Sequence, residues 1–286
     1  SSCPVVARPG ADPSPPAEDM SLLATSRTIL SAGAVTLLCF GCTATSGRLD
    51  GFRSLSDTAH GYALVTSPVR AGALAQRFEV RPGDCGADRD WSDCANDRER
   101  SEISVRNRIL PGTVTWVAFS LHLPADFATS GRVATTLGQI HQQGGPSGRA
   151  GGLASFPPLL QFEAKGNSYG LALHRLTGEA GDVRDETDYF PLAAISSMRG
   201  KWTDLLVMLD SRDGGVLEVY VDGRKAVATS NFIRFTPRHY YLKYGVYRSF
   251  VSRHGGPMPT QVAVFDEVRI GDSREAVEVG RRPPVD

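Results

Sequence analysis

The sequence predicts an all-β protein: an antiparallel β-sandwich of the jelly-roll type. Three observations carry that prediction. Short stretches alternate apolar and polar residues with a period of two, glycine and proline punctuate nearly every gap between them, and no segment shows a long helical stripe. With 286 residues, 41% of them hydrophobic, the chain can bury one substantial core.

The elements follow in order. Residues 1–19, "SSCPVVARPGADPSPPAED", are rich in Pro, Ala and Ser without periodicity and read as a disordered extension. Residues 20–44 place Arg27 before an apolar run and small residues, the order of a secretory signal with cleavage near Ala44. A lipid anchor at Cys42 is the weaker alternative, because "CFGC" lacks the usual leucine three residues earlier. The expected location is therefore secreted or periplasmic, and residues 45–286 form the folded domain. Of the five cysteines only Cys85 and Cys94 lie in that domain. An even pair after an export signal predicts a disulfide, worth about 2–3 kcal/mol through the unfolded chain.

Strands are predicted at "RFEV", "RSEISVRN", "TTLGQIHQ", "PLLQFEA", "YGLALHRL", "KWTDLLVMLD" and "QVAVFDEVRI". "TVTWVAFSLHL" (113–123) sets Val117, Phe119, Leu121 and Leu123 on one side. "VLEVYVDG" (216–223) turns Leu217, Val219 and Val221 inward, and its Asp222-Gly223 continues into a tight hairpin. Two gaps exceed a turn. Residues 143–156 are glycine-rich, and residues 177–200 are charged, then mildly apolar, with room for a short helix.

The formal net charge of +0 argues against a nucleic-acid partner but leaves room for a local basic groove and an anionic sugar. No run is long enough for a mature membrane span, and a monomer is expected. Three polar strand motifs stand out: "RSEI" (100–103), "QIH" (139–141) and "YLKYGVYR" (241–248). Residues two apart share a face, so Arg100 pairs with Glu102, and Gln139 with His141. Tyr241, Lys243, Gly245 and Tyr247 line one face of the third strand, opposite Leu242, Tyr244 and Val246. Gly245 leaves space beside Tyr247 for a substrate or a neighbouring backbone. If the three strands share a sheet, these faces build a surface suited to a carboxylated ligand.

In that order, "RSE", "QIH" and "YLKYGVY" resemble the jelly-roll polysaccharide lyases, the group of alginate, glucuronan and heparin lyase I enzymes. "KYGVYR", "PPLLQFEA" and "DGGVLEVYVDGRK" are most similar to the heparin lyase I and glucuronan lyase branch. The likeness spans residues 75 to 272, although Ser104 departs from the alginate lyase pattern "R-T/S-E-L-R". The resemblance implies a concanavalin A-like jelly roll with a curved sheet forming a substrate groove, an anionic polysaccharide substrate and β-elimination across a uronic acid. It makes Tyr247 the proton-transfer residue and His141 the base for the opposite epimer. It sets Gln139 and Arg100 on the substrate carboxylate, where donors stabilise the enolate-like intermediate. Lys243, Glu102, Arg248 and Tyr241 would contact substrate, Lys243 favouring the phenolate and Glu102 orienting Arg100. Tyr241 and Tyr244 also serve as packing. His122, His174 and His239 have no motif support and read as structural or exposed.

No cofactor is expected. Asp266 in "FDEVRIG" is a weak candidate for a structural calcium, a charged strand end being the preferred reading. A glycoside hydrolase would need paired carboxylates across the cleft, which no strand provides. The alternative to a lyase is a non-catalytic, lectin-like jelly roll, which fold alone does not separate from an enzyme.

Overall fold

Two antiparallel sheets of seven strands make up the protein in the computed structural model, which describes residues 48–286 apart from 54, 57, 145–150, 152 and 154–155. The expected N-terminal extension and export signal, with Cys3, Cys39 and Cys42, lie outside the described residues. In chain order the first strands are β1 (Gly51–Arg53), β2 (Tyr62–Val65), β3 (Ala75–Val80), β4 (Arg98–Ile109), β5 (Val114–Leu123), β6 (Thr135–Gln143) and β7 (Leu160–Lys165). The second half adds β8 (Ser168–Glu179), β9 (Asp182–Ala194), β10 (Lys201–Asp210), β11 (Val216–Val221), β12 (Arg224–Ser230), β13 (His239–Ser249) and β14 (Gln261–Gly271). One sheet runs β1-β4-β13-β6-β7-β8-β9, the other β12-β11-β10-β5-β14-β3-β2.

Alternation drives the layering. Val117, Phe119, Leu121 and Leu123 of β5 and Leu217, Val219 and Val221 of β11 all enter the core. They meet Leu242, Tyr244 and Val246 of β13 from the other sheet. Phe119 of β5 packs edge-on against Phe162 of β7, with ring centroids 5.5 Å apart, and Phe78 of β3 likewise meets Tyr244 at 5.7 Å. Asp222 and Gly223 both take positive φ between β11 and β12, as the predicted tight turn requires.

One prediction is overturned in part: the gap at 177–200 is not a long loop, although the short helix it left room for is present. Residues 177–200 are mostly strand: β8 runs to Glu179 and β9 occupies 182–194, with only α1 (Ile195–Met198) helical. β9 is an edge strand, and its charges face solvent or pair with β8, as Asp188 does with Arg175 at 2.7 Å. Charged side chains guard such an edge and hide the alternation that marks a strand. Strands β1 and β2 were not anticipated either, being short and at the sheet margins.

Candidate active site

The central strand β13 lies between β4 and β6, so all three polar motifs fall on adjacent strands. Register sets them side by side on the outward face. Tyr241 pairs with His141, Lys243 with Gln139, Gly245 with Glu102 and Tyr247 with Arg100. Between Lys243 and Tyr247, β13 holds one residue more than the facing stretch of β6, and β6 in turn bulges against β7 between Thr136 and Gln139. Such bulges re-aim side chains beside active sites. The role of Gly245 is resolved by its surroundings. At φ 134°, a Cβ there would sit 2.3 Å from the Ser101 carbonyl oxygen of β4, so the glycine admits a neighbouring backbone.

Glu102 is the hub. Its fully buried carboxylate accepts from Gln139 Nε2 at 2.6 Å, Lys243 Nζ at 3.0 Å and Arg100 at 3.2 Å. Burial alone would raise its pKa, but Lys243 and Arg100 more than offset this and hold it below the usual carboxylate range. Burial draws the Lys243 ammonium below its ordinary value.

A residue that sequence reasoning missed completes the network. Asp93, fully buried within the Cys85–Cys94 loop, receives Arg100 through two parallel hydrogen bonds, from Nε at 2.5 Å and from the second terminal nitrogen at 2.6 Å. It also accepts from the Trp91 indole at 2.9 Å. The predicted disulfide is present, with Cα atoms 5.1 Å apart. Nothing in "CGADRDWSDC" distinguishes this aspartate from its acidic neighbours. Clamped in this way, the Arg100 guanidinium lies over the Tyr247 ring, 4.4 Å from its centroid. Burial raises the Tyr247 phenol, while Arg100 and then Arg98 pull it back. The cation acting on the phenol is thus Arg100, whereas Lys243 is committed to Glu102.

His141 stacks on Tyr241 at 5.2 Å, and its Nδ1 lies 2.9 Å from the Gln142 carbonyl oxygen. A carbonyl only accepts, so Nδ1 carries the proton and Nε2 offers a lone pair. Burial, reinforced by Lys243, depresses the imidazole pKa to about 4, leaving it neutral near pH 7. Burial also pushes Tyr241 up to about 12.

Arg100, Gln139, His141, Tyr241, Lys243 and Tyr247 all line one cleft of ≈ 610 Å³. His174, read as structural, lines it too, held by Gln161 at 2.8 Å and Asp185 at 2.8 Å. Two expected substrate contacts do not belong there. Arg248 is fully buried and reaches Glu99 at 2.6 Å and the Pro259 carbonyl, because its even position turns it inward with Tyr244 and Val246. Glu102 lies beneath the surface and orients its neighbours instead of meeting the solvent. Asp266 spends both oxygens on the backbone amides of Arg70, Ala71 and Glu267. Among the described residues no group of three or more His, Cys, Asp or Glu side chains is arranged to hold a metal ion, and no helix is long and apolar enough to cross a membrane.

The fold has close solved counterparts. An endo-β-1,4-glucuronan lyase from the fungus Trichoderma reesei superposes with a TM-score of 0.64 at 17% identity, covering 81% of this chain and 95% of that one. A variant of the family 7 alginate lyase A1-II′ in complex with substrate gives 0.51 at 16%, covering 77% and 91%. No curated protein matches the chain. The family model described as polysaccharide lyase matches residues 44–269, spanning the three strands that carry the cleft. The chain belongs to the polysaccharide lyase family.

Proposed function

We propose that the protein cleaves a uronic-acid-containing polysaccharide by β-elimination, with a glucuronan-type chain as the favoured substrate. The carrying observation is the shared cleft: a phenol under a guanidinium, a neutral imidazole and a carboxamide, all on adjacent strands. In this reading Tyr247 takes the C5 proton and returns one to the glycosidic oxygen when both lie on the same side of the ring, as in glucuronate. His141, with Nε2 free to accept, takes the proton when they are opposed. Gln139 steadies the substrate carboxylate as negative charge spreads onto it. Arg100, already shared between two carboxylates, acts mainly by positioning and polarising Tyr247. The preference for glucuronan draws on the likeness to the glucuronan lyase fold and on the departure at Ser104.

The test is a panel of uronate polymers monitored by ultraviolet absorbance, since only elimination creates the conjugated double bond. A hydrolase would release reducing ends without it, and a lectin neither. Tyr247→Phe should abolish turnover and keep binding; turnover retained by that variant would sink the assignment.

A further inference from the structure

A second cleft of ≈ 530 Å³ lies on the same sheet face and shares Ser249 and Phe250 with the first. The boundary between them is built with care. Phe250 follows β13 in a left-handed conformation, φ 58° and ψ 47°, which costs a non-glycine residue about 1–3 kcal/mol and persists only where its surroundings impose it. Asp97, itself at φ 59°, imposes it. The Asp97 carbonyl accepts from the Phe250 and Val251 amides at 2.8 and 3.3 Å. Its carboxylate accepts from the Ser252 amide at 3.0 Å and hydroxyl at 2.7 Å.

The exposed Phe250 ring carries two guanidiniums, Arg98 at 3.9 Å and Arg253 at 4.2 Å from its centroid. Arg98 lines the first cleft; Arg253 lines the second, together with Arg132 and Lys165. None of these four cations lies within ion-pair distance of a described carboxylate, although Lys165 acts on Glu163 through space. The cations beneath Tyr247 differ, because Arg100 and Lys243 are matched by Asp93 and Glu102. The unneutralised positive charge of the groove therefore sits on the ridge and beyond it. In the second cleft Glu163 is half-buried, and burial raises its carboxyl pKa while His174 and Lys165 pull it back.

We propose that the Arg98–Phe250–Arg253 ridge and the adjoining Arg132 and Lys165 form an anion-reading extension of the groove, binding carboxylates of an acidic polysaccharide on either side of Phe250. The proposal rests on the lyase reading above for the identity of the chain, and it assigns polymer affinity to cations remote from the bond that breaks. The Asn96 and Asp97 carbonyls hold the Arg98 guanidinium over the ring through Nη1, and a carboxylate would take the remaining fork of donors that a guanidinium offers.

The experiment uses Tyr247→Phe, which leaves oligosaccharides intact, and measures binding of a ladder of uronate oligosaccharides by calorimetry. Adding Arg132→Ala and Arg253→Ala should weaken the longest members by about tenfold and leave the shortest, which fill only the first cleft, unaffected. Carboxyl-reduced oligosaccharides should bind weakly to both proteins. Equal affinities along the ladder for both proteins would overturn the proposal. So would equal losses at every length with an unchanged melting temperature. Separately, wild-type protein that makes no unsaturated product from any polymer, yet shows the length-dependent loss, would refute the lyase reading and leave the anion site standing.

Discussion

Replacing Glu102 by glutamine tests the network most directly. The substitution keeps shape and removes one negative charge from beneath Lys243 and Arg100. Arg100 retains Asp93, at 2.5 and 2.6 Å, but among the described residues Lys243 has no second carboxylate within ion-pair distance, Asp93 acting on it only through space, and its side chain is only 7% exposed. Breaking a buried pair by removing one partner costs about 3–5 kcal/mol, because the survivor stays buried and uncompensated. Glu102→Gln should therefore lose roughly that much in urea unfolding. Its residual stability should fall less steeply in acid. The sign follows from the depressed Glu102 pKa: the stabilisation is complete above the unfolded value of about 4.3 and disappears as pH falls through the lower folded value. The double variant Glu102→Gln/Lys243→Met removes both charges and should recover most of the loss, while elimination stays impaired because Gln139 loses its charged anchor and Arg100 keeps only Asp93. A single variant within about 1 kcal/mol of wild type, or a double variant no better than the single, would refute the hub.

Three further outcomes are expected. Asp93→Asn should lower elimination far more than it lowers stability, and reduction of the Cys85–Cys94 disulfide should do the same, since both loosen the clamp on Arg100; melting temperature and the unsaturated-product assay separate the two effects. Because His141 titrates near 4, kcat/KM on a substrate that uses it as base should be flat from pH 7 down to about 5, then fall as the imidazole protonates; an acid limb near 6.5 would contradict its burial. Arg248→Met should leave KM unchanged and lower stability by roughly 3 kcal/mol through the orphaned Glu99, as read in urea titrations; a raised KM would return Arg248 to the cleft.

The strands that pack were legible because a period of two marks them: the inward rows of β5, β11 and β13 could be written down residue by residue. The same rule applied to the last position of "YLKYGVYR" would have turned Arg248 inward; its charge suggested a ligand contact that its parity forbids. β9 escaped because an edge strand with one wet face and paired charges carries no apolar alternation. Asp93 was out of reach for another reason. Its partner Arg100 lies beyond the disulfide loop, and only the closed loop brings the carboxylate onto the guanidinium.

That placement changes what the polar motifs mean. Two carboxylates and two cations under Tyr247 leave little net charge to attract a polyanion, so on the readings proposed above affinity and catalysis are divided between regions of the groove. A guanidinium committed to Asp93 and stacked on a phenol stays in place whether or not substrate is present, which is the preorganisation that transition-state stabilisation requires. A donor on the substrate carboxylate strengthens as charge spreads onto that group, and on the reading proposed above Gln139 is that donor. On the same reading Arg100 contributes by holding and polarising Tyr247, in a position that Asp93 and Glu102 fix before substrate arrives.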